Sequence, residues 1–505
     1  MRQGGRARLC ALYTALFTAL AHGYRMLTLG FSGDAMLLTQ RGEAMYQTSL
    51  GRFFQPVYWL LRGEIAAPLV IGLFTAAFLV AASLMTVQVL GLRSRRDIAL
   101  TCGLFAANET MAVSGAAYLP WMDVYALALM LAVMGVYAFC RFRRGWLLSP
   151  ACFCLSLGLY QSYLPAAASL FVLLFLSRAL SGERMARVWG DGLRACASLL
   201  LGLIAYALAL RVALAVMGTQ ASTDYNGVGR VGAVPLAALP GLLAQTMATP
   251  LLYLFDPGSA AVIPWHVRVI PAWLNLALLA CALALLAARL RRVSAGARLT
   301  ALLLLALLVP AMNFVQLIAQ GTVSGLTIGA YVFFDLLCAL LAAQGWAGFG
   351  RASAWAARAA TALLCCVLGV GVVASNQMAL KRDLEFSSTL SAVTRVLDRA
   401  EQTQGYVPGV TPVVLMGMLP SSQIAMERPG FERIARHQGM RYTYAASYET
   451  STYWYLQMAL GVPINLVDHE RRVALTERAQ DAGLGAFPAK DCCRMIDGVL
   501  YIRIN

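Results

Sequence analysis

The sequence predicts an all-α polytopic membrane protein of about eleven transmembrane helices, with a small external α/β domain at its C-terminal end. Three observations lead there. Of 505 residues, 60% are hydrophobic and only 13% are charged, against about 25% charged in an ordinary soluble domain. Apolar stretches of spanning length recur as far as residue 375, and the mean hydropathy is +0.67. Beyond residue 375 the pattern changes to mixed helical and strand periods.

The expected spans are 9–31, 65–91, 98–118, 123–140, 146–160, 163–180, 195–217, 269–288, 299–318, 328–343 and 359–375. The first is too long for a cleaved signal peptide and lacks a small-residue cleavage site. The net charge of +16 would suggest nucleic acid in a soluble chain, but its distribution excludes that. Arg2, Arg6 and Arg8 precede the first span. Arg93, Arg95 and Arg96 follow the second, and Arg141, Arg143 and Arg144 the fourth. Arg184, Arg187 and Arg194 follow the sixth, and Arg289, Arg291, Arg292 and Arg298 the eighth. Basic residues on alternate loops are the positive-inside signature. It sets the N-terminus in the cytoplasm and, with an odd number of spans, the C-terminus outside.

The domain division follows. Residues 1–375 form the membrane domain, with external loops 31–64 and 218–268, and 376–505 form an external α/β domain. In the latter, "LKRDLEFSSTLSAVTRVLDRAE" has helical spacing, and "TPVVLMGML" and "GVLYIRIN" read as strands. Most of the twelve cysteines lie in spans, where they act as small hydrophobes. Cys492 and Cys493 are adjacent in the tail and are not expected to form a structural disulfide; no zinc-ligand spacing occurs. The cytoplasmic loops are short, so no folded nucleotide-binding domain is expected there. Chemistry is expected outside, where a lipid-linked donor is the natural activated substrate.

The first external loop carries the densest set of candidates. As a helix over 34–49, it would put Asp34, Leu37, Leu38, Arg41, Met45 and Thr48 on one face and Gln40, Glu43 and Gln47 on the other, an arrangement suited to the membrane interface. Asp34 against apolar neighbours would be a stronger base, or else it caps the helix. Glu43 would face solvent. Arg25, near the outer end of the first span, either snorkels to the interface or meets an anion. Glu109 lies inside the third span, where a charge is costly and functional by default, unless it is neutral and hydrogen-bonded beside Asn108. Asp123 opens the fourth span either as a helix cap or as an acceptor-orienting group. Tyr160, Gln161 and Tyr163 either belong to an aromatic interface belt or stack on a sugar.

"SGDAM", "SLGRFFQP", "LPWMDVYALAL" and "SLGLYQSYL", together with the ending "DCCRMIDGVLYIRI", resemble the Gtr-type, serotype-converting glucosyltransferases of the GT-C superfamily. The sequence departs from related loops in one respect: Gly33 precedes a single Asp34 where two adjacent acids are common. The resemblance implies a GT-C-like membrane fold and an inverting transfer of a sugar, glucose by preference. The donor would be a polyprenyl-phosphate sugar and the acceptor a cell-surface glycan such as lipopolysaccharide O-antigen. Asp34 would be the base, with Glu43 as the competing carboxylate. The leaving phosphate would be met by arginines drawn from Arg25, Arg41, Arg52, Arg62, Arg230 and Arg268, Arg52 being favoured. Glu109, Asp123, Tyr160, Gln161 and Tyr163 would contact sugar or acceptor. No cofactor is expected and no acidic cluster demands a divalent metal. A donor-lipid synthase and a flippase would be partners, besides the lipid bilayer. The competing classes are a flippase of lipid-linked saccharides, using Glu109 and Arg25 as intramembrane charges, and a non-catalytic assembly protein.

Overall fold

A computed structural model describes residues 3–30, 42–222, 236–258, 262–264, 266–318, 323–346, 348–417, 430–440, 456, 459–480 and 483–504. Asp34, Arg41 and Arg230 lie outside these residues. The chain divides into two units. The first comprises Met1–Leu27, Thr39–Gly115 and Leu119–Asn376; the second comprises Thr28–Leu38, Ala116–Tyr118 and Gln377–Asn505.

The first unit is helical. Among the described residues, seven helices are long and apolar enough to cross a membrane: Pro68–Val89, Leu119–Arg141, Gln161–Leu180, Met185–Met217, Ala272–Leu290, Ala295–Leu317 and Arg351–Glu401. Gly145–Leu159, Leu239–Phe255 and Gly329–Ala343 are shorter apolar helices. In chain order the elements of this unit are α1 (Gln3–Leu27), α2 (Ala44–Ser49), α3 (Phe54–Arg62), α4 (Pro68–Val89), α5 (Arg95–Ala106), α6 (Glu109–Ala117), α7 (Met122–Arg141), α8 (Gly145–Leu159), α9 (Leu164–Leu180), α10 (Met185–Met217), α11 (Leu239–Phe255), α12 (Ala272–Leu290), α13 (Ala295–Ile318), α14 (Val332–Ala343) and α15 (Arg351–Glu401), the last continuing into the second unit.

Burial ranks these helices. α7 and α9 are buried over most of their length, whereas α10 turns Leu193, Leu208, Val212 and Val216 outward. A helix apolar on its outer face as well as its inner one suits lipid rather than water.

Three local features depart from the sequence expectation. First, the span expected at 98–118 is two helices. Asn108 sits at the joint, where its Nδ2 donates to Phe105 O at 2.7 Å, the end of α5, and its Oδ1 accepts from Met111 N at 3.0 Å, the start of α6. One amide thus satisfies both helix ends, as an Asn cap does. α15 approaches this joint closely: a Cβ on Gly371 would lie 2.2 Å from Ala107 O, so only glycine fits. Second, the region 218–268, expected as an external loop, contains α11. Third, α2 is short and buries Gln47 and Thr48, while Met45 is 53% exposed. Met45 and Thr48 therefore do not share a buried stripe; Thr48 turns its hydroxyl onto Ala44 O at 2.8 Å.

α13 is kinked at Asn313 (φ −124°, ψ 16°), one turn after Pro310. Proline cannot donate to the helix ladder, and the freed geometry is a common origin of kinks. Asn313 Nδ2 then reaches Thr246 O of α11 at 3.2 Å, tying the kinked helix to the short one.

The second unit carries a four-stranded sheet in the order β2-β1-β4-β3, from β1 (Pro412–Met416), β2 (Asn465–Leu466), β3 (Cys493–Ile496) and β4 (Val499–Arg503). β1 runs parallel to β2 and β4, and β3 pairs antiparallel with β4. The β3–β4 hairpin closes through Asp497 and Gly498, both at positive φ (48° and 77°), as an Asp-Gly turn requires. Val414, Met416, Leu484, Val499 and Tyr501 form the core beside the sheet. Cys492 and Cys493 are both free, their Sγ atoms 3.8 Å apart, and burial pushes the Cys493 thiol up to about 12.

Candidate functional site

Two carboxylates of the first unit organise separate polar clusters. Asp123 opens α7 and is fully buried. Arg62, the last residue of α3, sets Nη1 3.0 Å from Oδ1 and 3.2 Å from Oδ2. Tyr58, one turn earlier on α3, donates to Oδ2 at 2.8 Å, and Val124 N donates to Oδ1 at 2.9 Å. Arg62 Nη1 also donates to Pro120 O at 2.8 Å. Because Tyr58 and Arg62 are four apart on one helix, both face the same carboxylate. Burial and the adjacent carboxylate push the Tyr58 phenol up. With the carboxylate buried and held by these partners, the cluster fastens α3 to α7.

Glu109 begins α6, where the helix N-terminus favours a negative charge. Its Oε1 accepts from three donors: Tyr253 OH of α11 at 2.5 Å, His266 Nε2 at 2.7 Å and Val269 N at 2.9 Å. A carboxylate oxygen that accepts from an imidazole fixes Nε2 as the protonated nitrogen. Arg268, between these donors in sequence, donates Nη1 to Tyr253 O at 2.7 Å and Nη2 to Asp256 O at 2.5 Å. Glu109 and Arg268 thereby pin the segment before α12 onto the end of α11.

This second cluster borders a cavity of about 50 Å³. Asn108, Glu109, Thr110, Tyr253, Arg268 and Asn275 line it, as do Tyr331 and Asp335 on another wall. Tyr331 and Asp335 are four apart at the start of α14, so they share a helix face. Tyr331 is 5% exposed. Its hydroxyl and Asp335 Oδ1 are closed to solvent and have no hydrogen-bond partner among the described residues. The cavity lies at the C-terminal end of α5 and the N-terminal ends of α12 and α14, away from the helix ends that carry Arg95, Arg96 and Arg289.

The remaining sequence candidates fall elsewhere. Arg52 donates to Gln47 Oε1 at 3.2 Å, and its guanidinium lies 5.0 Å from the centroid of the Tyr160 ring. Tyr160 packs on Tyr125 (4.6 Å between centroids) and near Tyr163 (6.2 Å). Gln161 Nε2 donates to Leu50 O at 2.9 Å and lies 3.0 Å from Tyr206 OH. These four residues knit loop 49–52 to α8 and α10. Glu43 is half-buried at the start of α2 without a side-chain cap bond. Arg25 is buried, its Nε donating to Gly115 O at 3.0 Å. Of the residues expected to contact sugar or acceptor, Glu109 alone lines the cavity. Asp34, Arg41 and Arg230 lie outside the described residues.

Tyr253, His266, Tyr331 and Asp335 are not among the candidates that the sequence alone offers. For Asp335 the signal was present: it is the one acid in the apolar stretch 328–343, and the rule that marked Glu109 marks it too. Tyr253 and His266 lay in a region read as a loop.

The family described as Glucosyl transferase GtrII matches residues 24–338, well over half of the chain. That range contains every residue lining the cavity except Val367 and Leu368. No curated protein and no solved structure matches the chain.

Proposed function

The chain belongs to the GtrII glucosyl transferase family, and from that premise we propose that it is a membrane glycosyltransferase moving glucose from a polyprenyl-phosphate donor to a cell-surface glycan. The observation that carries the proposal is the family match over a range that includes the Glu109–His266–Arg268 cluster and its cavity. In this reading the chemistry occurs at the outer face of a bacterial inner membrane. The arginine-rich segments at 93–96, 141–144, 184–194 and 289–298 support a cytoplasmic side for those loops. α10 and α12 then both have their basic ends inside, so α11 enters and leaves the membrane from the outside. The cavity lies at helix ends that this orientation turns outward. The second unit is then periplasmic.

The mechanism is a direct displacement with inversion. A carboxylate takes the proton of an acceptor hydroxyl, whose oxygen attacks the anomeric carbon. The sugar–phosphate bond breaks, and its electron pair leaves with the polyprenyl phosphate. That leaving group is a weak base, so stabilising its charge matters more than protonating it. Asp34, within the matched range 24–338, is the proposed base. Arg268 is the proposed phosphate partner in place of Arg52: it lines the cavity, and the two bonds it makes to carbonyls leave further N–H groups for an anion. Glu109 positions the segment that carries Arg268.

The test is incubation of detergent-purified protein with polyprenyl-phosphate glucose and candidate surface glycans, followed by mass analysis of the acceptor. A hexose-sized gain that depends on enzyme supports the transferase. In Asp34→Asn the yield should fall about 100-fold or more, the scale of a lost general base, while Glu43→Gln should cost far less. No product with any acceptor, alongside lipid scrambling in liposomes, would favour a flippase.

A further inference from the structure

The cavity beside Glu109 contains a recognition device that phosphate binding and proton transfer leave unused. Tyr331 OH and Asp335 Oδ1 face it, buried and without partners among the described residues. Buried polar groups left unmet are costly, so an occupant that satisfies both is favoured.

The chemistry of the pair narrows the occupant. A carboxylate oxygen only accepts, and a phenol both donates and accepts. A single alcohol hydroxyl meets both needs, donating to Asp335 and accepting from Tyr331. A phosphate does not suit the pair, because an ionised phosphate oxygen only accepts and has no proton to give Asp335. The volume narrows it further. About 50 Å³ exceeds the roughly 10–15 Å³ that one water needs, yet it is far below the roughly 300 Å³ at which pockets for whole ligands begin. A short arm ending in a hydroxyl fits, and a sugar ring does not.

We propose that Tyr331 and Asp335 form the subsite for the exocyclic hydroxymethyl group of the transferred hexose, and so set the donor's sugar specificity. The inference rests on the transferase reading and adds which sugar feature is read and by which residues. The arrangement explains how an enzyme can reject a sugar lacking that arm. A site built to hydrogen-bond a hydroxyl is left with unpaired buried groups when the hydroxyl is missing, which discriminates far more strongly than shape alone.

The experiment compares two donors on detergent-purified full-length protein: polyprenyl-phosphate glucose and its xylose counterpart, which lacks only the hydroxymethyl group. Donor binding is read by thermal shift and transfer by kcat/KM. Wild type should prefer the glucose donor by about 100-fold or more. Tyr331→Phe and Asp335→Asn should each cut that preference about tenfold, and Tyr331→Phe with Asp335→Leu should abolish it. Throughout, kcat/KM for the xylose donor should stay within about threefold of wild type, which a merely structural role would not allow. An unchanged preference in the double variant, as expected if the pair only holds water, overturns the inference while the transferase reading stands. Equal losses on both donors also overturn it. If neither donor binds or reacts with wild type, both readings fall.

Discussion

Asp123 and Asp335 are acids at the starts of two apolar helices, α7 and α14, and they have opposite surroundings. Asp123 accepts from Arg62, Tyr58 and Val124 N. Asp335 keeps Oδ1 buried and unpartnered among the described residues, on the wall of a cavity. The difference teaches that a charge in an apolar helix is not itself the mark of a functional site. A buried ion pair whose hydrogen bonds are met is a fastener; a buried polar atom with room beside it and bonds unmet is a receptor. The first should fail as folding, the second as chemistry.

The largest expected effect breaks the fastener. Asp123→Ala leaves Arg62 charged, buried and unmatched, at about 3–5 kcal/mol. Purified yield and melting temperature should drop sharply, whatever the activity of the protein that survives. Replacing both partners, Asp123→Leu with Arg62→Met, should recover much of the lost stability, because two apolar groups leave no orphan charge. If Asp123→Ala folds normally and loses only activity, Asp123 belongs with the receptors and the contrast fails.

Next come the residues that border the cavity. Arg268→Ala should lower turnover about 100-fold or more, the scale of one donor removed from a developing anion. Glu109→Gln keeps an acceptor oxygen for Tyr253 and Val269 N but removes the charge that faces His266. It should lower kcat/KM by about tenfold, at the low end of the scale for positioning groups, with a melting temperature close to wild type. A large stability loss with unaltered kinetics in the protein that remains would make the Glu109 cluster a second fastener.

How much of this could be read from the sequence follows the same division. Acids inside apolar stretches are visible as composition, which is why Glu109 and Asp123 stood out and Asp335 could have. Their partners are not visible. Tyr58 and Arg62 reach Asp123 across more than sixty positions, and His266 reaches Glu109 across more than 150. Only packing brings them together. α11 went unread because its apolar run is short for a span and contains Pro240 and Pro250, which usually mark helix ends. β1 and β4 are legible as apolar runs bounded by turn residues, whereas β3 is not among the expected strands although Asp497-Gly498 between two runs is a local hairpin signal. Asn108 shows local chemistry overriding length: the apolar runs on either side of Asn108-Glu109-Thr110 add up to one span, but a single amide that caps two helix ends splits it.

The smallest expected effect concerns Arg52, the arginine that the sequence favoured for phosphate. Its guanidinium lies over the Tyr160 ring and one N–H reaches Gln47. Such a cation–π contact is worth about 0.5–2 kcal/mol, depending on how far it is desolvated. The aromatic group beneath it, Tyr160 with Tyr125 and Tyr163, is itself buried packing. Arg52→Ala should therefore lower the melting temperature modestly and reduce turnover less than tenfold, well short of Arg268→Ala on the scale of a lost oxyanion donor. Arg52→Lys should recover only part of the stability, because an ammonium replaces the flat stacking of a guanidinium. A donor titration separates the two roles. A stacking arginine leaves KM for the donor nearly unchanged, whereas a phosphate ligand raises KM and lowers kcat together. If Arg52→Ala instead matches or exceeds Arg268→Ala in its loss of turnover, the leaving phosphate is met at the Tyr160 face. The cavity beside Glu109 would then be a neighbour of the reaction centre rather than part of it.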